Sequence, residues 1–371
     1  MKKIGIVSYN IYCNFTNYGS ALQSYGLYTS INKLAKNRWQ AVLVDYCPNS
    51  HLDVDCLNPL KNMWDKDEES IKLLEMSMTA IKENYYKFDN FYKTKFVLTS
   101  NKYTCKNFNE IANENINSFV CGSDTIFCIE EFGFDNGYYA NYDVMKNHSV
   151  AYAASIGDSI FDKDNEKEIF HKLLNNFKSI GLRESKFVYE LNNSSDITPP
   201  VRRVIDPTLL LISNEYDEIA EKRIIDKPYL LLYARRYNKK MEDYAEKYAK
   251  EHNLELVEIS LRATNASKHR MFYEAGVEEF LSLVKYSSYV VTNSFHGMIF
   301  SIIYKRNFTG FTREQCGNKI YELLKLFEIQ DRLVVNGDES MADIDYDKVH
   351  SILENKREEC LEFLNEELEM L

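Results

Sequence analysis

Positive charge is the scarcer sign in this chain, whose 371 residues carry 45 Lys and Arg against 56 Asp and Glu, for a formal net charge of -11 at pH 7. Phosphate backbones are gripped by clustered basic side chains, so this balance excludes a general nucleic-acid binder while permitting a local basic pocket. Cysteine pairing is missing as well: Cys13, Cys47, Cys56, Cys105, Cys121, Cys128, Cys316 and Cys360 include no Cys-x-x-Cys and have no His at metal-ligand spacing beside them. They read as reduced thiols, and no metal site is expected. No run approaches the ~20 apolar residues that cross a bilayer. No apolar signal segment is visible either, because Met1-Lys-Lys-Ile-Gly-Ile-Val leads straight into a strand pattern. The expectation is a soluble, cytoplasmic protein. The dinucleotide fingerprint G-x-G-x-x-G is absent, as are internal repeats and low-complexity segments. The 27 Tyr and 21 Phe suit sugar stacking, but aromatic-rich chains more often bury such rings in cores and interfaces.

What is present is alternation. Apolar strand-like runs at 4–9, 41–46, 118–121, 149–155, 179–183 and 201–205 are separated by helical patterns at 19–34 and 166–176, with a long charged and aromatic helical excursion at 67–96. A polar stretch at 213–227 precedes a second alternating set: strands at 228–233, 254–259, 289–291 and 308–311, and helices at 239–252, 277–286 and after His296. Such alternation predicts parallel sheets covered on both faces. The chain is also longer than the roughly 250–300 residues at which one core stops growing. An α/β chain of two Rossmann-like lobes follows, with residues 1–212 as the first lobe, 213–227 as linker and 228–335 as the second lobe. Residues 336–371 form a charged amphipathic C-terminal segment that packs back across the lobes.

The segment Tyr289-Val-Val-Thr-Asn-Ser-Phe-His-Gly-Met298 is the most informative, because Thr292-Asn293-Ser294 can cap a helix and sets His296 in its first turn. Helix N-termini favour anions, and the dipole resists imidazolium while a bound anion favours it, so such a ring can titrate near neutrality. A histidine hydrogen-bonded in an ordinary strand-to-helix turn explains the segment equally well. Asn17-Tyr-Gly-Ser-Ala-Leu-Gln-Ser-Tyr-Gly26 opens another helix, where Gly19 allows close backbone approach; a plain tight turn also accounts for it.

Taken with Gly122-Ser-Asp124, Ala151-Tyr-Ala-Ala-Ser-Ile-Gly157, Gly181-Leu-Arg-Glu184, Asp206-Pro-Thr-Leu-Leu-Leu211 and Gly276-Val-Glu-Glu-Phe-Leu281, these motifs in this order resemble the polysaccharide pyruvyl transferase family from about residue 4 to residue 330. The resemblance implies a GT-B-like fold with an acceptor-side first lobe and a donor-side second lobe. It implies transfer of a pyruvyl group from phosphoenolpyruvate to sugar hydroxyls of a surface-polysaccharide intermediate, closing a cyclic ketal. The reaction needs no cofactor or metal beyond that donor substrate. An exopolysaccharide precursor on a lipid carrier would be met at the inner face of the membrane, by peripheral contact.

A dianionic donor asks for guanidinium, ammonium and helix N-termini. The resemblance assigns donor binding and catalysis to Arg183, His296 and Lys319, with His296 as proton donor to the methylene carbon. Arg183 could instead be a structural ion pair with Glu184 or another acid. Asp124 accepts a proton from the attacking hydroxyl or orients the sugar, unless it is a turn residue. Ser294 and Phe295 flank the donor, and Arg235 and Arg236 lie within reach of a phosphate or are merely solvated. Asn17, Tyr18, Gly19, Ser123 and Glu279 make the acceptor side, although a first-turn Glu also complements the helix dipole. Several relatives carry Arg where this chain has Ser294. That contact is then missing or supplied by Arg235, Arg236 or His269-Arg270; if Ser294 is instead a helix cap, the expectation is a donor bound less tightly or one other than phosphoenolpyruvate. Two alternatives stand beside this reading: a GT-B-type glycosyltransferase using a nucleotide sugar, for which no base and ribose site is identifiable, and a non-catalytic carbohydrate-binding protein.

Overall fold

A strand buried on both faces can be apolar at every position, and the runs Ser149–Ala154 and Tyr229–Tyr233 are buried throughout their lengths. In the computed structural model, which describes residues 2–9, 16–57, 67–159, 161, 165–236, 238–260, 263–312, 317–334 and 342–371, these runs build two six-stranded sheets. The first contains β1 (Lys2–Val7), β2 (Trp39–Leu43), β3 (Ile116–Cys121), β4 (Ser149–Ala154), β5 (Ile180–Leu182) and β6 (Val201–Arg203), in the order β2-β1-β3-β4-β5-β6. The second contains β7 (Tyr229–Tyr233), β8 (Glu255–Ile259), β9 (Arg270–Phe272), β10 (Tyr289–Thr292), β11 (Phe308–Phe311) and β12 (Leu333–Val334), in the order β12-β11-β10-β7-β8-β9. Every pairing is parallel.

The expected strands are present, and the sheets add the edge strands β9 and β12, whose two or three residues are too short to show a period. Strand order reverses between β1 and β3 in one sheet and between β7 and β10 in the other. Ligands of open α/β sheets gather beyond the strand ends at such switch points. Cys13, Cys316 and the 335/336 boundary lie outside the described residues; the six other cysteines are free thiols.

Several elements join the lobes, among them Glu322 on the helix Gly317–Leu326, which accepts from Ser185 Oγ at 2.5 Å and pairs with Arg203 at 2.8 Å. The helix Tyr18–Ala35 belongs to the first lobe, yet Tyr18 Oη donates to Ala275 O at 2.6 Å and its ring stacks on Phe280 at 4.6 Å. The long helix Glu68–Lys95, capped by Asp67, reaches the second lobe through Asn84, which donates to Ala275 O, and Lys87, 2.5 Å from Glu279. The C-terminal helix Tyr346–Met370 starts on the second lobe, where Tyr346 Oη donates to Arg306 O and His350 Nε2 lies 2.9 Å from Ile302 O. It ends on the first, where Arg357 donates to Leu209 O at 2.9 Å and Ser179 Oγ donates to Glu367 at 2.6 Å. Leu353, Phe363, Leu364 and Leu368 sink into a core that both lobes share. The expected linker contains the helical turn Ser213–Asp217, whose Tyr216 is buried and donates to Thr208 O at 2.8 Å. Among the described residues no helix is long and apolar enough to cross a membrane.

This packing makes the two faces of the C-terminal helix unequal. Leu364→Ala is expected to destabilise the protein by about 2–5 kcal/mol through lost burial and a cavity. Glu366→Ala, which removes a half-exposed pair with Arg202 (3.1 Å), should cost less than about 1 kcal/mol. Urea unfolding of the two variants checks the contrast.

Candidate active site

Five chain segments deliver side chains to the crevice between the lobes. Asn17 caps the first helix, accepting from Gly19 N at 3.0 Å and Ser20 N at 3.3 Å, which fixes how that helix begins. Asp124 follows β3, Arg183 follows β5 and Asp206 follows β6. From the other lobe, Ser294 caps the helix Phe295–Ile303 by accepting from Gly297 N at 3.2 Å. Thr292 Oγ1 accepts from Ser294 N at 3.0 Å and donates to Tyr233 O at 2.6 Å, which ties that cap to β7. His296 therefore projects toward the first lobe. Glycine at position 19 is obligatory, because a Cβ there would come within 2.0 Å of His296 Nδ1.

Asp206 is the hub. Its Oδ2 is 2.5 Å from Arg183 Nη1 and 3.6 Å from His296 Nε2, the latter an ion-pair separation longer than a hydrogen bond. Its Oδ1 accepts from Thr208 N at 3.0 Å and Thr208 Oγ1 at 2.7 Å. Burial alone would raise this carboxyl; His296, Arg183 and Thr208 outweigh it and hold Asp206 well below the usual carboxylate range. Asp124 accepts from Ser20 Oγ at 2.8 Å and stands 3.8 Å from Arg183 Nη2. Burial pushes it up, but Lys319, His296, Arg183 and Ser20 together keep it below its ordinary value. Arg183 is itself held above its ordinary value: burial opposes its charge, and Asp206, Asp124 and Glu184 overcome that. Arg183 and Lys319 both lie over the ring of Phe295, at 5.2 and 5.6 Å from its centroid, so two cations share one aromatic face.

Arg183, Glu184, Asp206, Phe295 and Lys319 line one cleft. Arg183 Nε and Nη2 and Glu184 Oε2 are buried there, and His296 Nε2 beside Asp206, without a hydrogen-bond partner among the described residues. Buried polar atoms are rarely left so. The arrangement offers guanidinium N–H edges, an ammonium and an imidazole to an anionic molecule, with two ionised carboxylates beside them.

The structure thus brings together His296, Asp124, Arg183, Lys319, Phe295 and Gly19. Ser294 is a helix cap, which resolves the choice left open for it. Arg235 and Arg236 are anchored by their backbones to Asn293 (2.8 and 2.9 Å), beside the His296 turn but not among the cleft-lining residues. His269 is 2.6 Å from Glu258 and Arg270 is 3.6 Å from Glu255, so neither makes up for the missing arginine. Four acceptor-side candidates have their side chains engaged within the protein, Asn17 as the helix cap among them. Tyr18 is spent on the lobe interface, and Glu279 caps Gly276 N at 2.9 Å while pairing with Lys87. Ser123, fully buried, donates its N–H to Gln23 Oε1 (3.0 Å) and its Oγ–H to Ala153 O (2.8 Å), supporting the turn that presents Asp124. Arg183 pairs with Asp206 rather than with Glu184. Sequence reasoning placed Asp206 in a motif but gave it no role in the site. A Cβ at Gly26 would come within 2.4 Å of Pro207 O, so this otherwise unexplained helical glycine marked the turn that presents Asp206.

A family model described as polysaccharide pyruvyl transferase matches residues 17–315, most of the chain. No curated protein matches it in sequence. Similar solved structures include a protein described as a UDP-N-acetylglucosamine 2-epimerase from Listeria monocytogenes, 11% identical over 97% of this chain and 91% of that one, with a TM-score of 0.51. Others are the UDP-GlcNAc 2-epimerases of Methanocaldococcus jannaschii (12% identity, 95% and 92% covered, TM-score 0.49) and Neisseria meningitidis (10%, 100% and 94%, 0.47). At these identities the likeness is one of fold: two parallel-sheet lobes in a GT-B-like arrangement.

Two consequences are measurable. Asp206→Asn leaves buried Arg183 without its closest counter-charge and should cost about 3–5 kcal/mol at neutral pH. Folded Asp206 and Asp124 titrate below the ~3.9 of an unfolded Asp, so their stabilisation is complete above that pH and is lost as pH falls through the folded values. Urea midpoints followed into acid should fall for the wild type below about pH 4 and fall less for Asp206→Asn.

Proposed function

Because the chain belongs to the polysaccharide pyruvyl transferase family, we propose that it transfers a pyruvyl group from phosphoenolpyruvate to two hydroxyls of one sugar in a surface-polysaccharide intermediate. The products are a cyclic ketal and inorganic phosphate. One observation carries the reading: in the cleft that Lys319 also lines, Arg183 keeps two buried N–H edges without a hydrogen-bond partner, and the His296 ring stands on the other side of their shared neighbour Asp206.

In this reading the unpaired edges of Arg183 take an anionic group of the donor, and Lys319 takes the other. His296, fixed between Gly19 and Asp206, delivers a proton to the methylene carbon, and C2 becomes the electrophile that a sugar hydroxyl attacks. Asp124 is held below its ordinary value and is a weak base, so it orients the incoming hydroxyl rather than stripping it. Phosphate leaves with the C–O electron pair, and the second hydroxyl closes the ring.

The test incubates purified protein with phosphoenolpyruvate and a panel of glycan acceptors, reading phosphate release and mass gain on the sugar. His296→Ala should lower kcat by ~10²–10⁴-fold with the fold intact. Phosphoenolpyruvate at 100-fold over its Kd should stabilise the wild type by about 2.7 kcal/mol, an effect expected to disappear in Arg183→Ala. Turnover of UDP-sugars but not of phosphoenolpyruvate would replace this reading with that of a glycosyltransferase.

A further inference from the structure

Glu184 follows Arg183 at the end of β5 and occupies the N-cap position of the helix Ser185–Asn192. A side chain there ordinarily turns back onto the helix N–H groups, but Glu184 makes no such bond. It is buried and lines the cleft instead. Its Oε1 accepts from Ser155 Oγ, and Ser155 N donates to Asp124 O at 2.9 Å, so the carboxyl is tied to the segment that presents Asp124. Its Oε2 is buried and has no hydrogen-bond partner among the described residues.

The charged and titratable groups of its cleft are Arg183 beside it, Arg203 and Asp206 at and beyond β6, Lys319 and Glu322 on the helix Gly317–Leu326, and Lys356, Glu359 and Cys360 on the C-terminal helix; Asp124 and His296 stand behind Arg183 and Asp206. With Asp124 and Asp206 already ionised, a third carboxylate would repel a donor that brings two anionic groups of its own. Burial pushes the Glu184 carboxyl up, against the pull of Arg183, Ser155 and Lys319, while both aspartates are held down. Carboxyl groups driven apart within one site divide acid from base work.

We propose that Glu184 is a second catalytic acid of this site, giving its Oε2 proton to the ester oxygen of the departing phosphate. The inference rests on the phosphoenolpyruvate reading above. The proton placed on the methylene carbon by His296 is replaced from the first sugar hydroxyl. As C2–O cleaves, its electron pair and the Glu184 proton go to phosphate, and the second hydroxyl, bonding to C2, returns a proton to the Glu184 carboxylate. Donor plus diol thus become ketal plus phosphate, with no other reactant.

Glu184→Gln keeps the shape and a hydrogen-bond donor but has no proton to transfer; a wild-type melting temperature verifies its fold. The expected result is a kcat for phosphate release lowered by ~10²–10⁴-fold with KM for phosphoenolpyruvate little changed. A kcat within about threefold of wild type overturns the proposal. Sulfate, a dianion across the neutral pH range, probes the same carboxyl without turnover. Wild-type affinity for it should fall, relative to Glu184→Gln, as pH rises and Glu184 ionises. Identical pH dependence in both proteins overturns the assignment. Absence of turnover in the wild type, with this difference intact, refutes the donor reading while keeping Glu184 as a proton-bearing anion contact.

Discussion

One buried carboxylate organises the crevice. Asp206 binds Arg183 from its own lobe, Thr208 from its own turn and, at ion-pair range, His296 from the opposite lobe. A charge removed from water is tolerated only when partners surround it, so its neighbours are constrained in position as well as identity. The first helix reinforces this by steric means. Gly19 and Gly26 lie two turns apart on one face, and the absence of side chains there lets the helix touch the His296 ring at one point and the Pro207 carbonyl at the other. Charge and close packing fix the same geometry.

The lobes are joined by more than a linker. Tyr18 and Glu279, which the sequence suggested for sugar contact, bridge the lobes together with Asn84 and Lys87 of the long helix, and the C-terminal helix closes the opposite side. The side chains left facing the cleft are correspondingly few. Those with unused buried donors or acceptors, Arg183, Glu184 and His296, belong to three consecutive or facing positions rather than to a broad polar surface.

The cleft is also less cationic than a dianion's binding site would suggest. Asp124 and Asp206 offset Arg183 and Lys319, and Phe295 adds a weak quadrupolar hold on both cations. A pocket balanced in this way holds its cations in place before a ligand arrives, and ligand anions exchange partners with carboxylates rather than meeting loose lysines.

The alternation of apolar runs fixed the two parallel sheets, because a strand covered on both faces is apolar throughout and a helix must carry the chain back. Thr292-Asn293-Ser294 likewise announced a capped helix with His296 on its first turn, since capping is local chemistry. The edge strands β9 and β12 escaped, being too short to show a period and held by neighbours rather than by composition. Asp206 escaped for a different reason: an Asp-Pro turn is unremarkable until Arg183, distant in sequence, and His296, in another lobe, are folded onto it. Local propensity and patterning are properties of neighbouring residues and are written in the chain; ion pairing, burial and the fate of a carboxyl proton depend on groups that only tertiary structure brings within a few ångströms.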